Sequence, residues 1–537
     1  MRRFQQLSVL AAIFVVTGVL RTHAATPTAC EDLSKLTLSQ TKITLAQVVA
    51  AGTFVSPVPP GPGVAPGNFQ DVPAFCRVIA DLSPSTDSDI KVEVWMPASG
   101  WNGRFQGQGN GGFAGQIGYA GMAAVVKRGY ATAGTDTGHT GNALQAEWAL
   151  GHPEKVADFG YRAIHEMTLK AKAIIDAYYG QNPRYSYFLS CSGGGREALM
   201  EAQRFPADYN GIVAGAPANY WTHLFAAFAW DEQALLENSE SYIPSAKLPA
   251  ISAAVLAACD ARDGLKDGLL DDPRQCNFDA NTLLCKAAET DACLTAAQVD
   301  TLKKLYAGPT DAKGDSIYGG LMPGFEEGWG PWVVGRAPGQ ALVDGFAVQY
   351  FSNMVYGNAK WELKSFSLDG SVAQFDAVSA RRLNATDPNL KPFRSHGGKL
   401  MMYQGWNDPA TPPLNSINYY QSVVAKMGQR RAASFLRLFM VPGMGHCGGG
   451  PGPSYFGQDA NAKDRDSEHD IYAAIEAWVE KDVAPARIIA TKFANDSRAE
   501  GPAEMTRPLC PYPQIAKYDG TGNPNDAASF TCALPKP

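Results

Sequence analysis

Three residue types that together perform acyl transfer, a serine, an aspartate and a histidine, each follow a short apolar run in this sequence. Ser192 lies in Ser190-Cys191-Ser192-Gly193-Gly194, between the apolar run 185–190 and a helical pattern over 196–204. This matches a nucleophile elbow, a tight strand-to-helix turn that lifts the hydroxyl above a sheet and tolerates only small neighbours. The generic elbow has Gly two residues before the nucleophile, and here Ser190 fills that place. In a chain with 54 Gly the motif alone reads equally well as an ordinary turn. Chain order is what strengthens it: Asp408 follows the run 399–403, and His446 follows the run 435–441.

The chemistry needs each type. A free hydroxyl is a poor nucleophile, so His446 must accept its proton and later hand it to the leaving alcohol. Asp408 would hold the imidazole tautomer and stabilise its cation, although Asn407-Asp408-Pro409 also reads as a plain turn. His139 is the one serious rival base and reads as a structural or wall histidine. The amide of Gly193 is one expected oxyanion donor; the second comes from the turn Gly109-Asn110-Gly111-Gly112, Gly111 first and Gly112 in reserve.

Cysteines sharpen the pattern, because Cys191 precedes the candidate nucleophile and Cys447 follows the candidate base. A bridge between them sets the two Cα atoms about 4.4–6.8 Å apart, compatible with hydrogen bonding between Ser192 and His446. The ten cysteines are an even number, which in an exported chain predicts five disulfides. A zinc cluster fails on spacing, since no C-x-x-C occurs.

Such loops need a frame. From residue 103 onward apolar strand-like runs alternate with helical patterns: a strand at Phe105, a Gly-rich turn over 107–115, a helix over 156–179, strands at 185–190 and 211–215, and a final helix over 470–480. Strands alternating with helices imply an α/β fold with a mainly parallel sheet. The rhythm lapses between about 220 and 391, which predicts a lid inserted between a first core part, 25–219, and a second, 392–537.

Composition fits a large enzyme. Hydrophobic residues make up 45% and charged residues 18%, which excludes disorder and coiled coil. Residues 1–24 read as an export signal, with Arg2 and Arg3 before an apolar run over 7–20 that is too short to span a membrane. Its removal takes the formal charge from -6 to -9, and no basic run occurs, so neither nucleic acid nor membrane is an expected partner. The mature chain is expected to be exported, periplasmic or extracellular; its oligomeric state is open.

Together, Cys191-Ser192-x-Gly194-Gly195, Gly405-x-x-Asp408, Gly445-His446-Cys447 and Gly109-Asn110-Gly111-Gly112 resemble the tannase and feruloyl esterase family, which includes the hydrolase of mono-hydroxyethyl terephthalate. The resemblance implies an α/β-hydrolase core, a lid and hydrolysis of small aromatic esters. It also implies a structural Ca²⁺ in the lid, held in the loop 259–276 by Asp260, Asp263 and Asp267 with the carbonyls of Leu265 and Leu269, under a Cys259–Cys276 clamp. Nearest-neighbour pairing, supported by the family, gives Cys30–Cys76, Cys285–Cys293 and Cys510–Cys532. Of the lid aromatics Trp329, Trp332, Phe346, Phe351 and Tyr356, Trp332 is singled out to clamp the substrate ring, and Arg336 is considered for a terephthalate carboxylate. The rival classes are an inactive calcium-stabilised binding protein and a peptidase of the same fold. Asn384 and Asn495 fit the N-glycosylation pattern.

Overall fold

The structure, a computed structural model, describes residues 26–58, 67–368, 371–460, 464–496 and 501–535. The signal segment, much of the Pro-rich stretch 57–62 and the side chain of Asn495 lie outside the described residues. Among the described residues, no helix is long and apolar enough to cross a membrane.

Nine strands form one sheet: β1 (Thr41–Val49), β2 (Phe75–Leu82), β3 (Ile90–Pro97), β4 (Arg104–Gln108), β5 (Ala131–Thr135), β6 (Tyr185–Cys191), β7 (Gly211–Gly215), β8 (Lys399–Gly405) and β9 (Leu436–Val441). Their order is β1-β2-β3-β5-β4-β6-β7-β8-β9. The first three pair antiparallel and β3 pairs antiparallel with β5, whereas β5 through β9 are parallel. The α/β expectation therefore holds, with the antiparallel strands at one edge.

The parallel strands are buried on both faces, as sheets covered by crossover helices must be. Alternate side chains go to opposite layers. Phe188, Ile212, Ala214, Leu400 and Met402 join one core with Ile174, Leu199 and Val423 from the helices Ala163–Tyr179, Gly193–Arg204 and Leu414–Met427. Tyr187, Val213, Met401 and Phe439 join the other with Ile475 and Trp478 of the helix Ile471–Lys481. Each Val, Leu, Ile, Phe or Met among them contributes about 1.5–3 kcal/mol by burial, and a one-residue slip of register would exchange both cores at once.

Several elements differ from the sequence reading. The helix expected over 156–179 is three pieces, Pro153–Ala157, a π-helical turn Asp158–Arg162 and Ala163–Tyr179. The turn frees the carbonyls of Phe159 and Gly160, which accept from the guanidinium of Arg196 at 3.1 and 2.7 Å. The helix expected from Arg196 begins at Gly193, directly after the candidate nucleophile. After the helix Ile471–Lys481 the chain continues into two further pairs, β10 (Ile488–Phe493) with β11 (Ala503–Leu509) and β12 (Ile515–Tyr518) with β13 (Phe530–Ala533).

Between β7 and β8 the described residues form helices and short 3-10 and π turns without a named strand. All five expected disulfides are present, Cys30–Cys76, Cys191–Cys447, Cys259–Cys276, Cys285–Cys293 and Cys510–Cys532.

Candidate active site

Ser192 sits in the sharp turn between β6 and the helix Gly193–Arg204, with φ 65° and ψ -124°. A non-glycine residue there is strained by about 1–3 kcal/mol and needs neighbours that enforce it. They do: the Ser192 amide donates to Gly215 O at 2.9 Å, and its carbonyl accepts from Arg196 N at 3.1 Å and Ala218 N at 3.2 Å. Steric closeness explains the flanking glycines. A Cβ on Gly194 would lie 1.9 Å from Ser190 Oγ, and one on Gly195 would lie 2.2 Å from Gly215 O. Ser190 thus takes the usual glycine place because Gly194 and Gly109 make room for its hydroxyl.

His446 follows β9 and Asp408 follows β8, at the same edge of the sheet. The two loops touch at Gly405, where a Cβ would meet Met444 O at 2.3 Å. His446 Nε2 lies 2.9 Å from Ser192 Oγ, and Nδ1 lies 2.9 and 3.0 Å from the oxygens of Asp408. Asp408 is 1% exposed. Its carboxylate also accepts from the amides of Ala410 and Thr411, both at 2.9 Å, from the Thr411 hydroxyl at 2.7 Å and from Gln404 Nε2 at 3.1 Å. With so many donors its orientation is fixed, and His446 is held in turn.

The bridge Cys191–Cys447, with a Cα separation of 6.0 Å, ties the residue before the serine to the residue after the histidine. Cys447 itself has φ 62°. The arrangement is a serine hydroxyl on an imidazole, oriented by a carboxylate, which is the geometry that nucleophilic acyl transfer requires.

Around it lies an open cleft of about 420 Å³, lined by Gly112, Gly193, Trp221, Phe228, Trp332 and Phe346 among others. Gly112, the reserve oxyanion residue, is on this wall, while Gly111 is not among its lining residues. The ring of Trp332 stands edge-on to His446 at 4.9 Å and stacks with Phe346 at 6.5 Å. The other three expected lid aromatics pack elsewhere: Trp329 against Tyr306, and Phe351 and Tyr356 with Trp361.

Sequence reasoning missed a further part of this wall, which Phe346 continues onto Phe225 and Phe228. Trp221, Leu224, Phe225 and Phe228 all line the cleft from the helix Trp221–Leu235. Their i, i+3, i+4, i+7 spacing was a readable signal of one shared face. Arg196, buried beneath, spans the rings of Phe159 and Trp221 at 4.7 and 5.0 Å and ties the helix Gly193–Arg204 to that wall. Burial lowers its pKa to about 10.

Residues 76–533 match the tannase and feruloyl esterase family. The chain belongs to that family. An uncharacterized esterase of Xanthomonas campestris pv. campestris is 42% identical over 99% of this chain and 96% of that one. The mono(2-hydroxyethyl) terephthalate hydrolase of Piscinibacter sakaiensis is 34% identical over 86% of this chain and 85% of that one. The crystal structure of feruloyl esterase B from Aspergillus oryzae superposes with a TM-score of 0.85 at 30% identity, covering 94% of this chain and 99% of that one. Like these relatives, this member of the tannase and feruloyl esterase family is a carboxylic ester hydrolase.

His139 is buried, its Nε2 lies 2.8 Å from Phe113 O, and its ring stacks on Trp148 at 3.8 Å. Burial lowers its pKa to about 4, so it is neutral near pH 7, and the imidazole on Ser192 is His446 instead. Glu197, five residues beyond Ser192, is fully buried, and burial, opposed by Arg196, raises its pKa to about 7.

The loop 259–276 is closed by Cys259–Cys276 and turns at Gly264 (φ 99°) and Gly268 (φ 79°). Its carboxylates fold inward onto the loop's own amides: Asp260 accepts from Gly268 N at 3.1 Å, Asp263 from Leu265 N at 3.1 Å and Asp267 from Leu269 N at 3.2 Å. Burial and mutual repulsion raise the pKa values of Asp263 and Asp267, with Arg507 on Asp267 at 2.6 Å as the opposing cation. These are hard oxygens of the type Ca²⁺ takes, but among the described residues Asp260, Asp263 and Asp267 are not drawn into one group with ligand atoms within 4.8 Å of one another. Separately, His165, Glu201 and Asp208 bring their ligand atoms within 4.8 Å of one another, a possible metal-binding group outside the lid segment. Asn384 uses its side-chain amide on Thr222, accepting from the amide at 3.1 Å and donating to the hydroxyl at 2.9 Å, which leaves it poorly placed to carry a glycan.

Proposed function

We propose that the chain is an exported serine esterase that hydrolyses neutral esters of aromatic acids through an acyl-enzyme, with Ser192, His446 and Asp408 as its catalytic residues. The observation that carries this reading is the hydrogen-bonded line from Ser192 Oγ through His446 to Asp408, opening into an aromatic cleft. Ser192 attacks the ester carbonyl while His446 Nε2 takes its proton. The amides of Gly193 and of Gly112, favoured over Gly111 by its place on the wall, receive the oxyanion. His446 returns the proton to the departing alcohol, then removes one from water, which attacks the acyl carbonyl and releases the acid.

The acyl ring would lie against the continuous aromatic wall of Trp332, Phe346, Trp221, Phe225 and Phe228, an apolar surface for a planar group. No Lys, Arg, Asp or Glu is among the lining residues, and Arg336 is exposed and off this wall. A free carboxylate buried there would lack a cation. The reading therefore ranks feruloyl- or galloyl-type esters above a terephthalate monoester, despite the terephthalate relative. We test it with methyl ferulate, methyl gallate and mono-hydroxyethyl terephthalate side by side. Higher kcat/KM for a neutral ester supports it; preference for the monoester overturns it. A matched aromatic amide separates it from a peptidase, and absence of turnover on every activated aromatic ester would leave the inactive binding protein.

The segment 220–391 acts in this reading as the lid, and Asp260, Asp263 and Asp267 with the carbonyls of Leu265 and Leu269 hold Ca²⁺, which fixes the loop and takes no part in chemistry. Export rests on the signal pattern in residues 1–24 and on the five disulfides.

A further inference from the structure

We propose that Glu197 is a positioning residue for the oxyanion loop, its buried carboxylate gripping the backbone of Asn110 so that the amides after it face Ser192. This rests on the esterase reading above and adds to it the part that sets the loop's distance from the nucleophile.

Glu197 is 2% exposed and lies on the helix that begins one residue after Ser192. Its Oε2 accepts the Asn110 N–H at 2.9 Å. The loop lies flush on the helix at that point: a Cβ on Gly109 would meet Ser190 Oγ at 2.6 Å and Glu197 Oε2 at 2.8 Å. Asn110 is held from its other end too, its Nδ2 donating to Gln116 O and Thr135 O, both at 2.9 Å. A peptide fixed at backbone and side chain leaves little freedom to Gly111 and Gly112, the next two amides.

The grip connects two elements that must keep register during catalysis. The helix carries Ser192 and the Gly193 amide, and the loop supplies the second donor. An oxyanion hole works only if both donors converge on one point, and a displacement of about 1 Å costs about 100-fold. Without the carboxylate the part-buried Asn110 N–H would lose its partner on the helix, and the loop would be free to shift away from it. Glutamate has the reach to bridge this gap from a helix, and glycine at 109 lets the backbone come close enough.

The test compares Glu197→Ala, Glu197→Gln and Gly109→Ala with wild type on methyl ferulate, together with the affinity of an aryl boronic acid, which becomes tetrahedral on serine, and of the product acid. Glu197→Ala is expected to lower kcat by about 10- to 100-fold with KM within about threefold. The glutamine variant, whose amide oxygen can accept the same N–H, should recover to within about fivefold. Boronic acid affinity should fall with kcat while product affinity stays. Gly109→Ala, which pushes the loop off the helix from the other side, should reproduce the loss if Glu197→Ala fails to fold. Wild-type kcat in both Glu197→Ala and Gly109→Ala, or equal losses in the alanine and glutamine variants, overturns the proposal. An active Ser192→Ala enzyme would instead sink the underlying esterase reading, so the two failures are distinct.

Discussion

Two disulfides clamp loops in this molecule, and they do different physical work. Cys191–Cys447 joins positions 256 residues apart and brings together side chains that complete one another: hydroxyl, imidazole and carboxylate each find a partner within 3.0 Å. Cys259–Cys276 spans only 17 residues and gathers like charges, whose carboxylates accept from their own turn and whose pKa values are raised by burial first and by one another second. The long-range bridge therefore locks groups that pair with one another, whereas the short one shapes a loop of like charges that Arg507 meets at Asp267.

The comparison can be broken first at its paired end. Asp408→Asn should reduce kcat by about 10⁴-fold with little change in KM, because the amide cannot hold His446 as the carboxylate does. Steady-state kinetics decide, and a loss below about tenfold would remove Asp408 from the machinery.

Next, the two bridges should fail differently. Replacing Cys191 and Cys447 together by serine should cost up to about 5 kcal/mol by the chain-entropy model and lower kcat as well. Replacing Cys259 and Cys276 should cost about 3 kcal/mol and leave kcat of the folded enzyme near wild type. Denaturant melts run beside kinetics separate the two, and equal kinetic effects would erase the contrast.

A chelator should then act only on the short loop. At a calcium concentration about 100 times its Kd, removal should destabilise by about 2.7 kcal/mol, reversed on adding calcium back. An unchanged thermal midpoint would count against the metal site.

The smallest effect is in pH. Burial raises the pKa of Glu197 from 4.5 to about 7, so the folded protein binds a proton there that the unfolded chain has released. That contribution is complete below about pH 4.5 and is lost as pH rises toward 7, by about 2 kcal/mol between pH 5 and 7. Glu197→Gln should flatten the fall of stability over this window, and an unaltered slope would show that Glu197 does not titrate there.

How much of this was legible depended on whether function or packing chose the residue. The elbow, the aspartate, the histidine and their flanking cysteines carry types and spacings that packing alone does not ask for. The wall helix Trp221–Leu235 has the right periodicity, but an apolar face toward a cleft reads the same as one toward a core. Gly112 and not Gly111 is among the residues lining the cleft, a difference between neighbouring glycines that no sequence pattern encodes. Glu197 carries no sign at all, since a glutamate in a helix normally means solvent. The pairs β10/β11 and β12/β13 mix polar and charged residues into their strands and lie amid Pro, Gly and Asn, so no apolar run or alternation stands out.

The most direct measurement is turnover of methyl ferulate by Ser192→Ala, with its thermal midpoint taken alongside. The account predicts a loss of at least about 10⁴-fold in kcat at an unchanged midpoint. Turnover within tenfold of wild type would contradict it.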